Sequence, residues 1–448
     1  MKYLYLLLFT LIPALLFAQS GTKDGSFEAK NMDQLRIRVD AGMTIKINGS
    51  QTDQISYSYD FDGNDQAYDH LFKNFKPEFS TRGGEAFINI EFPEHRKKNV
   101  NFRIKKNILV LNVPKAIELE LTTRYSKIEV TNIDRTTRID NRSGSVKLRD
   151  IGQNATISNE YGNIDVQNIN GDVDISSRSS TIDVSNVKGN LLVNSNYSKL
   201  NLTKITGQLN LENKSGTVNA YDLDSDLMGN GDYTEYELTD VRGTIQIYNK
   251  SGTVHIDKAE NVLIHGDYTN ITASNLKGDE VQIESKSSNV ELKNVLGRVI
   301  INGSYLEIEL DNISKEVSIK NRSGKVTAQS LKNSILIDGD YNKIKLESFE
   351  GSEITIENRS GDIEIDALKT LSSVYIKASY TNIELNLRSS FQGDVNFDVT
   401  YGKLKQPFKL NQVIISDEKN SLNIQGSVGS GNGKMIIESR SGDVTIKQ

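Results

Sequence analysis

The chain has 448 residues, of which 25% are charged and 36% hydrophobic, and it contains no Cys. This length allows a large core, while the polarity excludes a bundle of membrane-spanning helices and the lack of Cys excludes disulfides and thiolate metal sites. The net charge of −6 at pH 7 argues against nucleic acid as a partner, because binding to phosphates needs clustered positive charge.

The N-terminus has the composition of a secretory signal peptide. Lys2 precedes an apolar run over residues 4–17, and Ala18 separates this run from a polar stretch. One positive charge, a short apolar core and a small residue are the parts of such a signal, and the run is too short to remain as a membrane span. We therefore expect residues 1–18 to be cleaved, leaving no transmembrane segment. The protein is then exported to the periplasm, the cell surface or the extracellular space.

Residues 19–115 are rich in strand-like runs but follow no fixed period. Alternation of apolar and polar residues predicts strands over 35–39, 44–47, 55–59, 86–92 and 108–113. A short helix is expected over 67–75. A solenoid needs an atypical end that covers its first turn, so this region is interpreted as an irregular, β-rich N-terminal cap.

From residue 116 to 390 the chain repeats itself about every 18 residues. A Tyr and a Ser alternate as the marker of each repeat, and the gap between markers is 18 residues seven times in succession before it varies between 17 and 20. The markers are Tyr125, Ser143, Tyr161, Ser179, Tyr197, Ser215, Tyr233, Ser251, Tyr268, Ser287, Tyr305, Ser323, Tyr341, Ser360 and Tyr380.

Apolar residues stand three, five and eight residues after each marker and four residues before the next. A spacing of two is the period of a strand, so each repeat is predicted to contain two short strands whose Ile, Val and Leu columns face inward. Only Gly229 breaks the column that precedes the marker. Asn or Asp seven after the marker and Gly ten after it predict corners, because these residues tolerate left-handed backbone.

A repeat of this size cannot bury its apolar side alone, whereas stacking in register closes a continuous core. The predicted fold is therefore all-β: a single-stranded parallel β-helix, or β-solenoid, with about 18 residues per turn. Each turn is called a coil below. With coils ~4.8 Å apart, the fifteen markers would span roughly 70 Å.

Stacking in register would place like charges over one another, and the residue before the marker shows how the sequence avoids this. On Tyr coils it is often acidic, as at Glu160, Asp232, Asp267 and Asp340, or neutral, as at Asn196, Ser304 and Ser379, with Arg124 an exception. We therefore expect basic residues to lie about 10 Å apart with acidic or neutral residues between them, which relieves the repulsion. On Ser coils it is always basic: Arg142, Arg178, Lys214, Lys250, Lys286, Arg322 and Arg359.

The Tyr column allows two interpretations. If the rings face inward they form a packing ladder, which we favour because a repeat that only keeps its shape would look the same. If they face outward, a row of rings flanked by Lys and Arg forms a ligand-facing stripe that uses aromatic and cation contacts. The residues of that stripe are Tyr161, Tyr197, Tyr233, Tyr268, Tyr305, Tyr341 and Tyr380.

Residues 35–49 and 109–121, together with recurrent Arg-Ser-Gly-Asp-Ile and Asn-Glu-Tyr-Gly-Asn-Ile runs, resemble the bacterial "putative adhesin" family of exported β-solenoids of unknown function. The resemblance covers nearly the whole chain after the signal peptide. It implies the fold and an adhesin-like role, and it supplies no catalytic residues.

The repeat loosens over residues 391–448. Tyr401 and Ser441 are the next markers, and the Gly-rich segment 426–433 is interpreted as a loop or hairpin inserted before the final coil. Because the chain stops just after the apolar pair of that coil, its edge is expected to be uncovered. An uncovered edge can pair with another chain, which predicts end-to-end self-association.

No cofactor site, metal site or catalytic motif is predicted. Outward acids four after the marker are interspersed with Lys, Asn and Thr, which is typical of a solvated strand face. His70, His95, His255 and His265 match no metal spacing and are interpreted as surface residues.

The sequence predicts a non-enzymatic, adhesin-like binding or scaffolding protein of the bacterial cell envelope. Its expected partner is an envelope glycan or another envelope protein. The alternative is a carbohydrate-active β-helix enzyme, a polysaccharide lyase or hydrolase, with its site within residues 401–433.

Overall fold

The structure is a computed structural model that describes residues 18–93 and 101–448. Residues 1–17 of the predicted signal peptide and His95 lie outside these ranges. Within them, no helix is long and apolar enough to cross a membrane. The chain divides into two compact units, Met1–Asp165 and Val166–Gln448.

Each unit is built from strands that pair in parallel with their copies one coil away, which confirms the predicted β-solenoid. In the first unit Ile139 lies opposite Ile157, and in the second Leu209 lies opposite Leu227; both steps are 18 residues. Identical columns of Ile, Val and Leu therefore overlie one another in the core.

The first unit begins with irregular strands and continues with two short strands per coil. Two helical turns are present, α1 (Asp65–Ala67) and a π-helical turn (Tyr68–Phe72), so the expected helix over 67–75 begins and ends earlier. The strands are β1 (Ala18–Glu28), β2 (Gln34–Val39), β3 (Thr44–Ser50), β4 (Gln54–Asn64), β5 (Glu78–Arg82), β6 (Glu85–Ile90), β7 (Ile104–Pro114), β8 (Glu118–Thr122), β9 (Lys127–Ile133), β10 (Thr137–Ser143), β11 (Val146–Ile151), β12 (Ala155–Tyr161) and β13 (Ile164–Ile169), which crosses the boundary.

The coils of the first unit do not stack in chain order. Strands β2 and β3 lie between the pair β6 and β7 on one side and the pair β8 and β9 on the other, with parallel pairing on both sides. Strands β4 and β1 then extend β7 antiparallel, and β5 extends β6. The region expected to be a cap thus contributes two solenoid coils, and only β1, β4 and β5 lie beyond them.

In the second unit most coils consist of one long strand rather than two short ones. Strands β16 to β24 run through the corner at the marker without a break, which corrects the prediction, because backbone pairing with neighbouring coils continues around that corner. The strands are β14 (Val173–Ser179), β15 (Thr181–Val187), β16 (Leu191–Ile205), β17 (Leu209–Leu223), β18 (Leu227–Val241), β19 (Ile245–Ala259), β20 (Val262–Leu276), β21 (Glu280–Val295), β22 (Arg298–Ile313), β23 (Val317–Gln329), β24 (Ile335–Phe349), β25 (Glu353–Ser360), β26 (Ile363–Ala367), β27 (Ser373–Tyr380), β28 (Ile383–Leu387), β29 (Gly393–Thr400), β30 (Leu404–Lys405), β31 (Asn411–Glu418), β32 (Ser421–Val428), β33 (Gly433–Arg440) and β34 (Val444–Lys447).

The last coils of the second unit are also out of chain order. Strands β33 and β34 lie between the pair β27 and β28 and the pair β29 and β30. A hairpin of β32 and β31 then pairs antiparallel with β29. The expectation that the final coil in sequence has an uncovered edge is therefore wrong, because that coil is enclosed on both sides. The segment 426–433, predicted as a loop or hairpin, holds the end of β32 and its connection to β33, and the hairpin of β31 and β32 covers the coil formed by β29.

The corners obey two different constraints. Asn132 and Asp222, seven after the marker, have φ of 60° and 55°, which confirms the predicted left-handed corner. The Gly column ten after the marker has no positive φ, so the reason given for it was wrong. A Cβ on Gly189 would lie 2.4 Å from the carbonyl carbon of Gly171 one coil away, so close approach of two backbones selects glycine there.

The break in the inward column at Gly229 has a complement on the same coil. Tyr236 stands where other coils carry a smaller apolar residue, and its side chain is fully buried. A Cβ on Gly229 would lie 2.8 Å from Cε1 of Tyr236. The ring therefore fills the space that Gly229 leaves, and the next coil fills the same volume with Ile247 and Val254.

This packing predicts that the two positions are energetically coupled. Tyr236→Val alone leaves a cavity and Gly229→Ile alone overlaps the ring, so each should lower the free energy of unfolding by about 2–4 kcal/mol. The double variant restores the pair found on the next coil, so its free energy of unfolding should fall by much less than the sum of the losses in the two single variants. Urea unfolding followed by circular dichroism measures this cycle; additive losses would contradict the assigned contact.

Two buried phenols predict a loss of stability in alkali. Burial raises the pKa of Tyr59 and of Tyr236 above the ordinary value of about 10. Above that pH the unfolded chain holds fewer protons than the folded one, so the free energy of unfolding falls as pH rises. Melting temperatures at about pH 8 and about pH 11 should differ less in Tyr236→Phe than in the parent. The Tyr236 hydroxyl has no hydrogen-bond partner among the described residues, so its removal should not destabilise the protein at the lower pH.

Candidate functional site

The Tyr column faces solvent, and the favoured interpretation of an inward packing ladder is wrong. In the second unit the rings follow one another on every second coil, with a Ser marker in register between them. The exposed fractions are 39% for Tyr161 in the first unit and, in the second, 64% for Tyr197, 66% for Tyr233, 62% for Tyr268, 57% for Tyr305, 49% for Tyr341 and 64% for Tyr380.

The marker faces outward because the inward and outward phase of the strand changes there. On the coil of Ser251, buried residues precede the marker at Ile247 and Asn249, an even distance away. After it, the buried residues Val254 and Ile256 stand at odd distances. The marker is the point where this alternation is reset, and its side chain lies at the outside of a corner.

A buried Asn holds this corner in place. The side chain of Asn249 donates to the carbonyl oxygens of Ser251 and Thr234, both at 2.9 Å. Its own oxygen accepts from the N–H of Thr234 at 3.3 Å. Thr234 follows the marker Tyr233 on the neighbouring coil, so one amide side chain ties a Ser corner to a Tyr corner. The same three hydrogen bonds recur at Asn321 and Asn358, and Asn213 makes the two that reach the neighbouring coil.

The glycine after the Ser marker completes the corner. Gly252 has a φ of 131°, and a Cβ there would lie 2.4 Å from the carbonyl oxygen of Thr234. Gly216 and Gly324 show the same conformation and the same close approach. On the Tyr coils of the second unit the equivalent residue is instead a buried side chain such as Thr234 or Leu306. The alternation of Tyr and Ser therefore reflects two kinds of corner that fit each other.

Charges beside the stripe are paired between coils, as predicted. Lys250 lies 2.6 Å from Asp232, Lys286 lies 2.8 Å from Asp267, and hydrogen bonding to these acids raises the pKa of both lysines. The exception Arg124 is explained by the order of coils, because its neighbour is Asp40 of the inserted coil, at 4.0 Å. These exposed pairs relieve repulsion and contribute little stability by themselves.

Arg359 contacts the stripe directly. Its guanidinium lies over the ring of Tyr341, 6.0 Å from the ring centre, and 3.3 Å from Asp340. Hydrogen bonding to Tyr341 and the charge of Asp340 raise the pKa of this guanidinium. The stripe therefore combines aromatic rings with cations, of which Lys250, Lys286 and Arg359 are paired with acids.

A groove beside the stripe was not predicted. Tyr248 and His265 stack with ring centres 4.9 Å apart and 1° between their planes, and His265 Nδ1 lies 2.9 Å from a carboxylate oxygen of Glu284. Lys250 and Asp267 line the same groove, which has a volume of about 680 Å³. The sequence did carry a signal for this groove. Tyr248 and His265 each stand three residues before a marker, so stacking in register places them side by side on adjacent coils.

Several acids of the described residues take part in ion pairs or turns. No group of three or more His, Asp or Glu in the described ranges could hold a metal ion. Glu129 pairs with Lys46 at 3.0 Å, which lowers the pKa of this carboxyl. In the C-terminal region Asp443 accepts the backbone N–H of Lys403 at 2.8 Å, so it serves a turn.

Comparison with known proteins gives a family and two distant structures. The family model described as Toastrack DUF4097 matches residues 32–227 and 227–447. A "putative cell adhesion protein" from Clostridium sporogenes ATCC 15579 is 10% identical over 96% of this chain and 100% of its own, with a TM-score of 0.19. A "putative lipid binding protein" from Parabacteroides distasonis ATCC 8503 is 13% identical over 75% and 96%, with a TM-score of 0.18. At such scores neither likeness bears on function, and no curated protein matches.

The corner geometry predicts a steep cost for filling the Ser corner. Gly252→Ala should lower the free energy of unfolding by about 2–3 kcal/mol, because backbone strain and a clash with the neighbouring coil combine. Gly83→Ala is the matched control: Gly83 also has a positive φ, 60°, but nothing lies within 4 Å of its Cβ position. The free energy of unfolding of Gly83→Ala should fall by only about 1 kcal/mol. Equal losses in urea unfolding would contradict the steric argument.

Proposed function

Because the chain belongs to the Toastrack DUF4097 family and carries an exposed, evenly spaced row of Tyr rings, we propose that it is a non-enzymatic, adhesin-like binding protein of the bacterial envelope. Its binding surface is the Tyr stripe of the second unit, Tyr197 to Tyr380. Its ligand is an extended envelope glycan that lies along the stripe. Export follows from the predicted signal peptide and belongs to the same proposal.

The observation that carries the proposal is the spacing of the rings. Successive Tyr residues are separated by one Ser coil, so they recur every two strand spacings, about 9.6 Å. This distance is close to the length of two sugars in an extended β-1,4-linked chain. A linear glycan can therefore present the same sugar face to every ring, and aromatic rings bind the apolar face of a sugar well.

Some of the charges beside the stripe are already paired. Lys250, Lys286 and Arg359 each lie beside an acid on the adjacent coil, which weakens the attraction of these three cations for a polyanion. The groove beside Tyr268 adds groups that donate or accept hydrogen bonds, including His265 and Glu284. Sugar hydroxyls need such groups on both sides of a ring platform.

The rigidity of the solenoid makes weak contacts add up. At Tyr233, Tyr305 and Tyr341 the backbone beneath the ring pairs with the coils on both sides, so no loop has to be ordered there when a ligand binds. Each further ring then acts at a high effective concentration along the same chain. Affinity should therefore rise with each added pair of sugars.

The experiment compares the parent with Tyr233→Ser, Tyr268→Ser and Tyr305→Ser combined, against β-1,4-linked oligosaccharides of increasing length in calorimetry. Serine is the replacement because alternate coils already carry it at the same corner. The triple variant should bind at least about tenfold more weakly, a loss of about 1.4 kcal/mol. Its melting temperature should stay that of the parent.

Tyr221→Ser is the matched control, since Tyr221 is 57% exposed but lies outside the stripe. It should bind like the parent. Equal affinities for all three proteins, or no dependence on glycan length, would overturn the stripe as the binding surface. A reducing-sugar assay on the same mixtures tests the non-enzymatic part, because any turnover would contradict it.

A further inference from the structure

Strand β31 is the outermost strand of the antiparallel hairpin that follows β29 in the second unit. Among the described residues it pairs only with β32. All eight of its residues are exposed, including Val413 at 42%, Ile414 at 66% and Ile415 at 60%. An edge strand with consecutive exposed branched apolar residues is a template for pairing with another chain.

The apolar row beneath this edge continues the core. Phe397 is fully buried and lies opposite Ile424, which is half-buried and lies opposite Ile415. Burial thus decreases along one row until it reaches the edge strand. By contrast, the outer strand β1 of the first unit carries Lys23 and Asp24 and no run of large apolar residues, which protects an edge from pairing.

The charges at the two ends of β31 are complementary in one arrangement. Its C-terminal end carries Asp417 and Glu418, while Asn411, Gln412 and the exposed Lys409 stand at its N-terminal end. No ion pair within residues 18–93 and 101–448 involves Lys409, Asp417 or Glu418. Antiparallel pairing of two copies places each acidic end beside the amide and basic end of the other, whereas parallel pairing would place acid against acid.

We propose that β31 pairs with β31 of a second copy of this chain, antiparallel and across a two-fold axis. Ile414 of each copy then lies opposite Ile414 of the other and Ile415 lies opposite Val413, while Asp417 faces Asn411. Both copies use the same edge, so the contact closes at a dimer instead of growing into a filament. This surface is separate from the Tyr stripe, and the dimer does not depend on the proposed function.

Analytical ultracentrifugation of the chain from residue 19 to 448 tests the proposal. The parent should show twice the monomer mass as concentration rises, and Ile414→Lys combined with Ile415→Lys should remain monomeric. Leu296→Lys combined with Leu336→Lys is the matched control, since these residues are 54% and 41% exposed at other sites. The control should dimerise like the parent. A monomeric parent, dimerisation of the β31 variant, or species larger than a dimer would overturn the proposal.

Cross-linking tests the register, because the parent contains no Cys. Ile414→Cys and Ile415→Cys proteins are oxidised separately and as a mixture. Opposed residues of an antiparallel pair lie within disulfide range, whereas residues one step apart point to opposite faces. The Ile414→Cys protein should therefore form a disulfide-linked dimer several-fold faster than the Ile415→Cys protein, whose opposed residue is Val413, and the mixture should not form one faster than Ile414→Cys alone. Equal rates in all three samples would overturn the proposed pairing.

Discussion

The structure depends on one constraint: each strand satisfies its backbone hydrogen bonds with its own copy one coil away. Like residues therefore overlie like residues, which closes the core in uniform apolar layers. The same stacking would bring like charges together, and the alternation of Lys250 with Asp232 and of Lys286 with Asp267 relieves this repulsion. Stacking also forces neighbouring backbones together at the corners, where a side chain at Gly189 or Gly252 would clash with the adjacent coil.

Stacking in register also creates the problem of the two ends, since every coil leaves an edge for the next. The first unit encloses β2 and β3 between later strands, and the second encloses β33 and β34 between earlier ones. Antiparallel strands then continue beyond the outer coils. The outer strand β1 is polar and charged, whereas the outer strand β31 is apolar at its centre. The edge of β1 therefore discourages pairing with another chain, and the edge of β31 favours it.

The Tyr stripe, which we propose as the binding surface, stands on corners whose shape is set by the packing of neighbouring coils. At four coils of the second unit a buried Asn ties the Ser corner to the neighbouring Tyr corner, as Asn249 ties Ser251 to Thr234. The Tyr ring itself takes no part in these hydrogen bonds and stands in solvent. The Asn and the Gly are needed for the corner to fold, but the exposed Tyr ring is not. The proposed glycan binding accounts for the ring.

The sequence by itself determined the coil length, the inward columns and the left-handed corner at residues such as Asn132, because these depend on strand period and on local backbone preference. The tertiary structure alone decided three other features. The Tyr rings face outward because the alternation is reset at the marker, where a period cannot be extrapolated. The order of coils at each end depends on pairing between distant segments, since every coil of one period can pair with any other. The groove of Tyr248, His265 and Glu284 exists only where three coils meet.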